Sequence, residues 1–391
     1  MNIVIISTGV LPQPAIKGGA VESLVDILIN YNEKYRLHDL SVYTIYDENA
    51  IRLIGEYSKC KFIYIKRSKL IQYLFNKEMI PIRFMLIFYI NKVVRLIKKR
   101  ADFDLICIQN EYIYGNRVQK VSRGKPLILH LHNDYINVDV KGVVKKINCF
   151  DGIISISDYL KKRIKEVNQS VKVDTIYNGI DLTKFKDVET HIKSKVKEKF
   201  GINEDEVVVV YAGRLTEEKG IKELLIAFND IPSTYNITLL IIGNSLFNGS
   251  VENQFVKELK KLANKKRNKI IFTGYISYEE MPDIYSIGDI GCVPSVWEEP
   301  FGLTVIEQMA MGLPMIVSDA GAIPEIVDNS CALIVKRDKE YTQNLKESIL
   351  KLYVKPELRE RMGMQAKLKV EKFSADDFSE LIYKYINEFR N

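Results

Sequence analysis

The sequence predicts an α/β protein built from two doubly wound parallel sheets. Three observations support this prediction: a length of 391 residues, a hydrophobic content of 47%, and short apolar segments that alternate with amphipathic ones along the chain. A single hydrophobic core stops growing at about 250–300 residues, so a chain of this length is expected to form two domains. Short apolar runs separated by helices are typical of parallel sheets that carry helices on both faces.

Thirteen apolar segments are predicted to form the strands. In the first half of the chain they are Asn2–Ser7, Leu40–Ile45, Lys61–Ile65, Asp104–Ile108, Leu127–Leu131, Gly152–Ile156 and Lys172–Tyr177. In the second half they are Val207–Ala212, Thr238–Gly243, Lys269–Thr273, Ile290–Pro294, Pro314–Val317 and Cys331–Val335.

The helices between these strands are predicted from their amphipathic period. Ala20–Tyr31 and Asp158–Val167 repeat apolar residues at helical spacing, and the tail Lys339–Arg390 is expected to be helical throughout. Each half of the chain therefore predicts its own doubly wound sheet.

Turn residues in "YNGIDLTKFKD", 177–187, interrupt this pattern and mark the predicted domain boundary. We expect one domain over 1–178, a second over 179–372, and a C-terminal helix over 373–391 that packs back on the first domain. Ligands of open α/β sheets bind at the carboxyl ends of the strands, so the two sheets are expected to face a central cleft.

Cysteine usage and the N-terminus predict a cytoplasmic protein. Five scattered cysteines form no CxxC pair, which favours free thiols in a reducing compartment. The opening "MNIVIISTG" has no basic region before its apolar residues, and we interpret it as a first strand instead of a signal peptide.

Charge is distributed unevenly along the chain. Residues 1–180 carry 28 basic and 17 acidic side chains, a net +11, whereas the remainder has a net charge of −4. Residues 59–100 hold 12 of the basic residues and one acid, interleaved with aromatic and aliphatic ones. Two interpretations stay open: a solvated basic helix that covers a core, or a peripheral contact with the anionic inner face of a membrane. The longest charge-free stretch there is too short to span a bilayer, and no nucleic-acid motif accompanies the charge.

Three segments place polar residues where a ligand is expected. "KGGAVESL" follows the first strand and opens a helix, so Gly18 and Gly19 allow a ligand to approach the helix N-terminus. In "VVVVYAGRLTEEKGIKELL", Arg214 and Lys219 lie between a strand and a helix, where two cations suit a diphosphate. A structural glycine turn and a charge pair with Glu217 or Glu218 are the alternatives.

The third segment, "PLILHLHNDY", carries two of the four histidines of the chain. His130 and His132 alternate on one strand and are expected to point the same way, with His132 nearer the ligand end. The alternative is a pair of structural histidines, and no third metal ligand of suitable spacing is evident. The pattern "DFD", Asp102–Asp104, is interpreted as strand-start capping and not as a metal site.

One longer segment identifies a family. "EEPFGLTVIEQMAMGLPMIVSDAGAIPEIV" resembles the E-x7-E signature of retaining glycosyltransferases of family 4, which have the GT-B fold of two Rossmann-like domains. The segments "GGAVESL", "LHND", "SISDYLKKRI", "IYNGID", "AGRLTEEKGIKEL" and "GYISYEEMPDIYSIGDIGCVPS" follow in the order of that family. The N-terminal "STGVLPQPAIKGGAVE" is similar to members associated with cell-surface polysaccharide or the spore coat.

The resemblance implies roles for named residues. Glu307 would accept hydrogen bonds from the ribose of a nucleotide, and Glu299 would contact the donor sugar. Arg214 and Lys219 would neutralise the diphosphate, and these two cations would take the place of a metal. Further donor-site residues implied by the family are His132 beside the sugar, Gly18 and Gly19 at the diphosphate, Tyr275 and Ile276 at the base, the amides of Phe301, Gly302 and Leu303, and Asn244 on the phosphate side.

The implied activity is transfer of a hexosyl group from a nucleotide-diphosphate sugar, with retention and without a metal or other cofactor. UDP is the favoured carrier and GDP the alternative. The acceptor is expected to be a glycan or a lipid-linked saccharide of cell-surface polysaccharide synthesis. A nucleotide-sugar epimerase of the same fold and a non-catalytic coat or binding protein are the competing hypotheses.

Overall fold

The computed structural model describes residues 1–54, 57–68, 73, 75, 77, 79–100, 102–244, 253–264 and 268–390. The chain divides into two compact units. The N-terminal unit comprises Met1–Gly179 together with Ala375–Asn391, and the C-terminal unit comprises Ile180–Ser374.

A seven-stranded parallel sheet forms the centre of the N-terminal unit. Its strands lie in the order β3-β2-β1-β4-β5-β6-β7. They span β1 Asn2–Ile6, β2 Asp39–Ile45, β3 Cys60–Ile65, β4 Leu105–Gln109, β5 Leu127–Leu131, β6 Gly152–Ser155 and β7 Val173–Thr175. The helices of this unit are α1 Ala20–Tyr35, α2 Glu48–Arg52, α3 Ile82–Lys99, α4 Gly115–Gln119, α5 Val143–Ile147, α6 Asp158–Val167 and α15 Ala375–Asn387.

Alternating strand residues supply a core on each face of this sheet. Val4 and Ile6 of β1 belong to a cluster with α3, whereas Ile3 and Ile5 belong to a cluster with α1 and α15. Successive strand side chains point to opposite faces, so continuous apolar strands require helices on both.

The C-terminal unit contains a six-stranded parallel sheet in the order β10-β9-β8-β11-β12-β13. The strands are β8 Val207–Ala212, β9 Ile237–Ile242, β10 Lys269–Gly274, β11 Ile290–Val293, β12 Met315–Ser318 and β13 Ala332–Val335. The helices are α7 Thr190–Lys199, α8 Ile221–Asn229, α9 Gln254–Ala263, α10 Met281–Tyr285, α11 Leu303–Ala310, α12 Ile323–Ile326, α13 Tyr341–Tyr353 and α14 Pro356–Val370.

All thirteen predicted strands are present, with ends that differ by at most two residues. The prediction of a tail that is helical throughout is wrong. The α13 helix ends at Tyr353, Pro356 occupies the first position of α14, and a single 3-10 turn over Glu371–Phe373 precedes α15. Proline lacks the N–H that a helix interior needs, so it begins a new helix here.

Within the described residues, no helix combines the length and the apolar composition that crossing a bilayer requires. All five cysteines are buried free thiols.

Candidate active site

The candidate site of the C-terminal unit lies where the strand order of its sheet reverses. The β8 strand is flanked by β9 on one side and β11 on the other, and all strands run parallel. Loops that leave the carboxyl ends of β8 and β11 therefore diverge at a topological switch point, which is where open α/β sheets bind ligands. Lys219 lies in the first loop and Glu299 in the second.

Backbone contact joins these two loops. After β8 the chain forms a 3-10 turn over Glu217–Lys219 and enters α8 through Gly220, whose φ is 67°. A Cβ atom at Gly220 would lie 1.8 Å from the carbonyl oxygen of Pro294. Glycine is required here both for the left-handed backbone and for the close approach.

Lys219 and Glu299 form an ion pair across the junction. The Nζ atom of Lys219 donates to Oε1 of Glu299 at 2.7 Å and to Oε2 at 3.0 Å. The hydroxyl of Ser295 donates to the same Oε1 atom, and the ring centroid of Trp297 is 5.5 Å from Nζ. Two residues that the resemblance assigns to different parts of a donor thus share one hydrogen-bonded cluster.

A second set of contacts fixes the Glu299 loop from its other side. Arg337 donates to Glu298 at 2.7 Å, to Asp319 at 3.0 Å and to the carbonyl of Val296 at 3.3 Å. The amide of Ala322 donates to the carbonyl of Glu299 at 2.8 Å. The loop is therefore held to the segment that follows β12 as well as to the segment that follows β8.

Glu307 occupies a buried position on α11. Its Oε2 atom accepts a hydrogen bond of 3.0 Å from the hydroxyl of Tyr285, which is itself fully buried. Burial raises the pKa of the Glu307 carboxyl from 4.5 to about 7, and the bond from Tyr285 opposes that rise. A carboxyl group with this pKa changes charge near neutrality.

The α11 helix presents its N-terminus between the two glutamates. Gly302 caps it with a φ of 143°, and the first helical residue is Leu303. The first amides of a helix have no partner within it and attract negative charge. The side chain of Phe301 is buried and packs edge-on against Phe373, with ring centroids 5.9 Å apart.

The remaining predicted residues of this unit lie after neighbouring strands. Arg214 follows β8, and its guanidinium, 45% exposed, pairs with Glu218 at 3.4 Å. Tyr275 and Ile276 follow β10, and the Tyr275 side chain is exposed. Asn244 follows β9 and accepts from the amide of Leu215 through its carbonyl. Most of the "NSLFNGSVE" segment, 245–252, lies outside the described residues.

The glycine turn of the N-terminal unit follows the equivalent switch point, between β1 and β4. Gly18 and Gly19 have φ values of 71° and 102°, and Gly19 caps α1. A Cβ atom on Gly19 would meet Oε2 of Glu22 at 2.4 Å. Thr8 donates to the other oxygen of Glu22 at 2.6 Å, and burial raises the pKa of that carboxyl.

His130 and His132 lie side by side with ring centroids 4.1 Å apart, which confirms that they point the same way. Both are buried, and burial holds the pKa of His132 well below its usual 6.5, so the ring is neutral at pH 7. Its Nε2 atom is 3.2 Å from Oε1 of Gln109, and its amide donates to Asn110. The Nδ1 atom of His132 is buried without a partner among the described residues.

Two acids of the N-terminal unit have structural partners. Asp104 accepts from the amide of Asn2 at the start of β1, which confirms its capping interpretation. Asp134, which follows His132, accepts from Arg163 at 3.2 Å, from Tyr159 at 3.3 Å and from Asn137. A carboxylate held in this way is a poor candidate for a nucleophile.

The structure joins Lys219 and Glu299 in one ion pair and places Gly302, Leu303 and Glu307 on the helix that follows the Glu299 loop. Gly18, Gly19 and His132 lie in the other unit. Sequence analysis missed Ser295, Tyr285 and Arg337. Ser295 carries a usable signal, since it is a polar residue directly after a buried strand. Tyr285 and Arg337 reach the site through the fold and leave no local pattern.

Comparisons with protein families match both units. A family model described as "Glycosyl transferases group 1" matches residues 192–369. A second model, described as "Glycosyltransferase Family 4", matches residues 56–184.

Individual relatives extend over most of the chain. Spore coat protein SA of Bacillus subtilis is 25% identical over 381 residues, 95% of either chain. Lipopolysaccharide 1,2-N-acetylglucosaminetransferase of Salmonella typhimurium is 27% identical over 282 residues, 70% of either chain. Among solved structures, Anabaena Alr3699/HepE in complex with UDP-glucose superposes with a TM-score of 0.76 at 20% identity, covering 99% of this chain and 100% of that one.

Proposed function

The chain belongs to the group 1 and family 4 glycosyltransferases, and we propose that it transfers a hexosyl group from a UDP-sugar with retention of anomeric configuration. The observation that carries this proposal is the Lys219–Glu299 ion pair beside the N-terminus of α11, at the switch point of the C-terminal sheet. The two family models favour a glycosyltransferase over the epimerase and over the non-catalytic coat or binding protein.

Donor binding is proposed to use each part of this cluster for one part of the nucleotide sugar. Lys219 and Arg214 attract the diphosphate, because an ammonium and a guanidinium both bind phosphate oxygens. When the donor binds, the ion pair between Glu299 and Lys219 opens, and Glu299 accepts hydrogen bonds from the hydroxyls of the sugar. Glu307 accepts hydrogen bonds from the hydroxyls of the ribose. The amides of Phe301, Gly302 and Leu303 face the negative charge.

In the proposed transfer step, the bond between the anomeric carbon and the diphosphate oxygen breaks. A bond from the acceptor hydroxyl oxygen to that carbon forms on the same face, and the hydroxyl proton passes to the departing phosphate. Lys219 and Arg214 stabilise the charge that develops on the leaving group, which is the largest contribution expected from fixed cations. Metal independence is part of the proposal.

The carrier and the acceptor are proposed from relatives. The Anabaena structure contains UDP-glucose, which supports uracil as the base. The placement of Tyr275 and Ile276 beside that base stays a prediction. The Salmonella relative acts on lipopolysaccharide by its name, which supports a glycan or lipid-linked acceptor in cell-surface polysaccharide synthesis. The roles of Gly18, Gly19, His132 and Asn244 toward the donor stay predictions.

A peripheral contact with anionic membrane is proposed for the α3 helix. One face of α3 is buried through residues such as Tyr89 and Val93. Its other face exposes Phe84, at 59%, beside Arg83 and Ile82. Lysine and arginine near an anionic surface each contribute about 1 kcal/mol, and an exposed aromatic ring adds apolar burial. Residues 69–72, 74, 76 and 78 of the basic segment lie outside the described part.

A panel of nucleotide sugars tests the donor assignment. A ligand at 100 times its dissociation constant stabilises the folded state by about 2.7 kcal/mol, so the correct donor should raise the melting temperature measurably. We expect UDP-hexoses to give the largest shift and GDP-hexoses a smaller one. A panel in which no nucleotide or nucleotide sugar shifts the transition contradicts the proposed function.

Slow hydrolysis of the selected donor, without acceptor, tests retention and metal independence together. Nuclear magnetic resonance of the first product should show the anomer that the donor carries, at a rate that a chelator leaves unchanged. The opposite anomer rules out retention, and loss of turnover with the chelator rules out a metal-free reaction.

A further inference from the structure

We propose that Tyr285 is a positioning residue for nucleotide recognition. Its hydroxyl donates a hydrogen bond to one oxygen of the Glu307 carboxylate, and the other oxygen accepts hydrogen bonds from a vicinal diol of the ligand. The inference rests on the proposed function in one respect, that the diol is the ribose of a nucleotide. It deepens that function, because it makes Tyr285 and Glu307 the residues that discriminate nucleotides with ribose from their deoxy analogues.

The geometry of the carboxylate supports this division. Tyr285 donates to Oε2 of Glu307 at 3.0 Å, and no described residue hydrogen-bonds Oε1. A carboxylate that is fixed at one oxygen presents the second in one orientation, which suits two adjacent hydroxyl donors.

Tyr285 is itself held rigidly. It ends the α10 helix, is fully buried, and its ring centroid lies 6.4 Å from that of Phe185. Phe185 also packs edge-on against Tyr278 at 5.8 Å. Since the hydroxyl is carried on an enclosed aromatic ring, it cannot turn away from Glu307 without repacking this cluster.

Burial raises the pKa of Glu307, and the hydrogen bond from Tyr285 opposes that rise. The titratable groups that face this carboxyl are Tyr285 and Tyr278, and burial raises the pKa of both, so both are neutral near pH 7. The Tyr285 hydroxyl favours the ionised carboxylate, which is the form that accepts hydrogen bonds from a ligand. Removing it should therefore weaken diol binding most at low pH.

Isothermal titration with UDP and with 2′,3′-dideoxy-UDP separates this role from a structural one. In the wild-type protein, UDP should bind at least tenfold more tightly than the dideoxy analogue. In Tyr285→Phe this ratio should fall by about tenfold, with UDP weakened and the dideoxy analogue unchanged. The decline of UDP affinity on acidification, centred near pH 7, should move to higher pH in the variant.

Two further variants complete the test. Tyr383→Phe removes another buried hydroxyl, which donates to the carbonyl of Leu28 at 2.9 Å, and should leave the ratio at its wild-type value. Glu307→Gln should reduce the ratio as Tyr285→Phe does. If Tyr285→Phe weakens the affinities for UDP and for the dideoxy analogue equally, or leaves their ratio unchanged, the role of Tyr285 is overturned while the proposed function stands. A wild-type protein that binds neither ligand overturns the proposed function with it.

Discussion

Glu307 combines two requirements that oppose each other. The carboxyl must be buried in order to meet a ligand in a dry site, and burial disfavours the charge that makes it a strong acceptor. Its pKa of about 7, raised mainly by desolvation, records that conflict in the ligand-free protein. Burial of the Glu307 carboxyl therefore lowers the free energy of unfolding of the ligand-free protein.

Replacing Glu307 by glutamine should stabilise the ligand-free protein at alkaline pH. Between pH 4.5 and about 7 the unfolded chain ionises this carboxyl while the folded chain keeps it protonated, so the wild type loses stability as pH rises through that window. The difference of roughly 2.5 pKa units corresponds to about 3 kcal/mol at pH 8 and to almost nothing at pH 4. Thermal unfolding at both pH values measures it.

The matched control for this prediction is Glu360→Gln, which neutralises an exposed glutamate on α14 and should change stability little at either pH. A Glu307→Gln protein that is less stable than the wild type at pH 8 contradicts the prediction. The prediction is also contradicted if Glu307→Gln raises the stability by the same amount at pH 4 as at pH 8.

Sequence reasoning reached Arg214 and Lys219 because they lie between a buried strand and a helix, and it reached Glu299 and Glu307 through the resemblance to the E-x7-E signature. Glu299, Glu307, Arg214 and Lys219 were all predicted. The pairing of Lys219 with Glu299 was not, since the two lie 80 residues apart and meet only after β8 and β11 become neighbours. Arg337 was missed for the same reason.

The junction between the β8 and β11 loops determines the site at the scale of elements. Gly220 lets the start of α8 touch the carbonyl of Pro294, and the amide of Val296 donates to the carbonyl of Glu218 at 3.0 Å. These contacts set the register of Lys219 against Glu299. Local sequence indicates a glycine before a helix, but it does not reveal which backbone that glycine must approach.

Gly220→Ala should cost more than about 3 kcal/mol and weaken nucleotide binding. The left-handed backbone accounts for about 1–2 kcal/mol, and the clash with Pro294 adds the rest by forcing the two loops apart. Chemical denaturation and nucleotide titration measure the two effects.

Gly201→Ala supplies the comparison, since Gly201 has a φ of 62° and no atom within 4 Å of its Cβ position. That variant should lose only the backbone contribution and bind nucleotide normally. Equal losses in the two alanine variants show that the approach to Pro294 has no importance.

Strand elements were predicted more accurately than helix ends. Fully apolar strands are bounded by glycine and polar residues, so their limits are visible in the sequence, as at Val207–Ala212. The helical tail was predicted as continuous because its amphipathic pattern persists across the breaks. Pro356 was the local signal that one helix ends and another begins.

At the scale of the whole molecule, the two units differ in charge as well as in sequence. The excess of basic residues lies in the first half of the chain, and part of it lies on the exposed face of α3. The C-terminal segment Ala375–Asn387 belongs to the N-terminal unit, where Tyr383 donates to Leu28 of α1. Residues 1–179 and 375–391 thus form the unit that carries the proposed membrane contact.

Anionic vesicles of phosphatidylglycerol should bind the wild-type protein in a salt-dependent manner. Phe84→Glu should weaken this binding by about tenfold, because it replaces an apolar insertion by a like charge. Co-sedimentation measures the bound fraction. Leu368→Glu, at an exposed residue of α14, is the control and should bind as the wild type does. Equal binding by all three proteins contradicts the assignment of α3.

The most direct test of the account is the difference between the affinities for UDP and for uridine, measured by titration calorimetry in Lys219→Met and Lys269→Met. Lys269 pairs with Glu206 at 2.7 Å, as Lys219 pairs with Glu299, and so controls for the loss of a partly buried ion pair. We predict that Lys219→Met weakens UDP binding tenfold to about a hundredfold and leaves uridine unchanged, while Lys269→Met affects neither. Undiminished UDP binding by Lys219→Met, or an equal loss in Lys269→Met, would contradict the assignment of this cluster to the diphosphate of a nucleotide sugar.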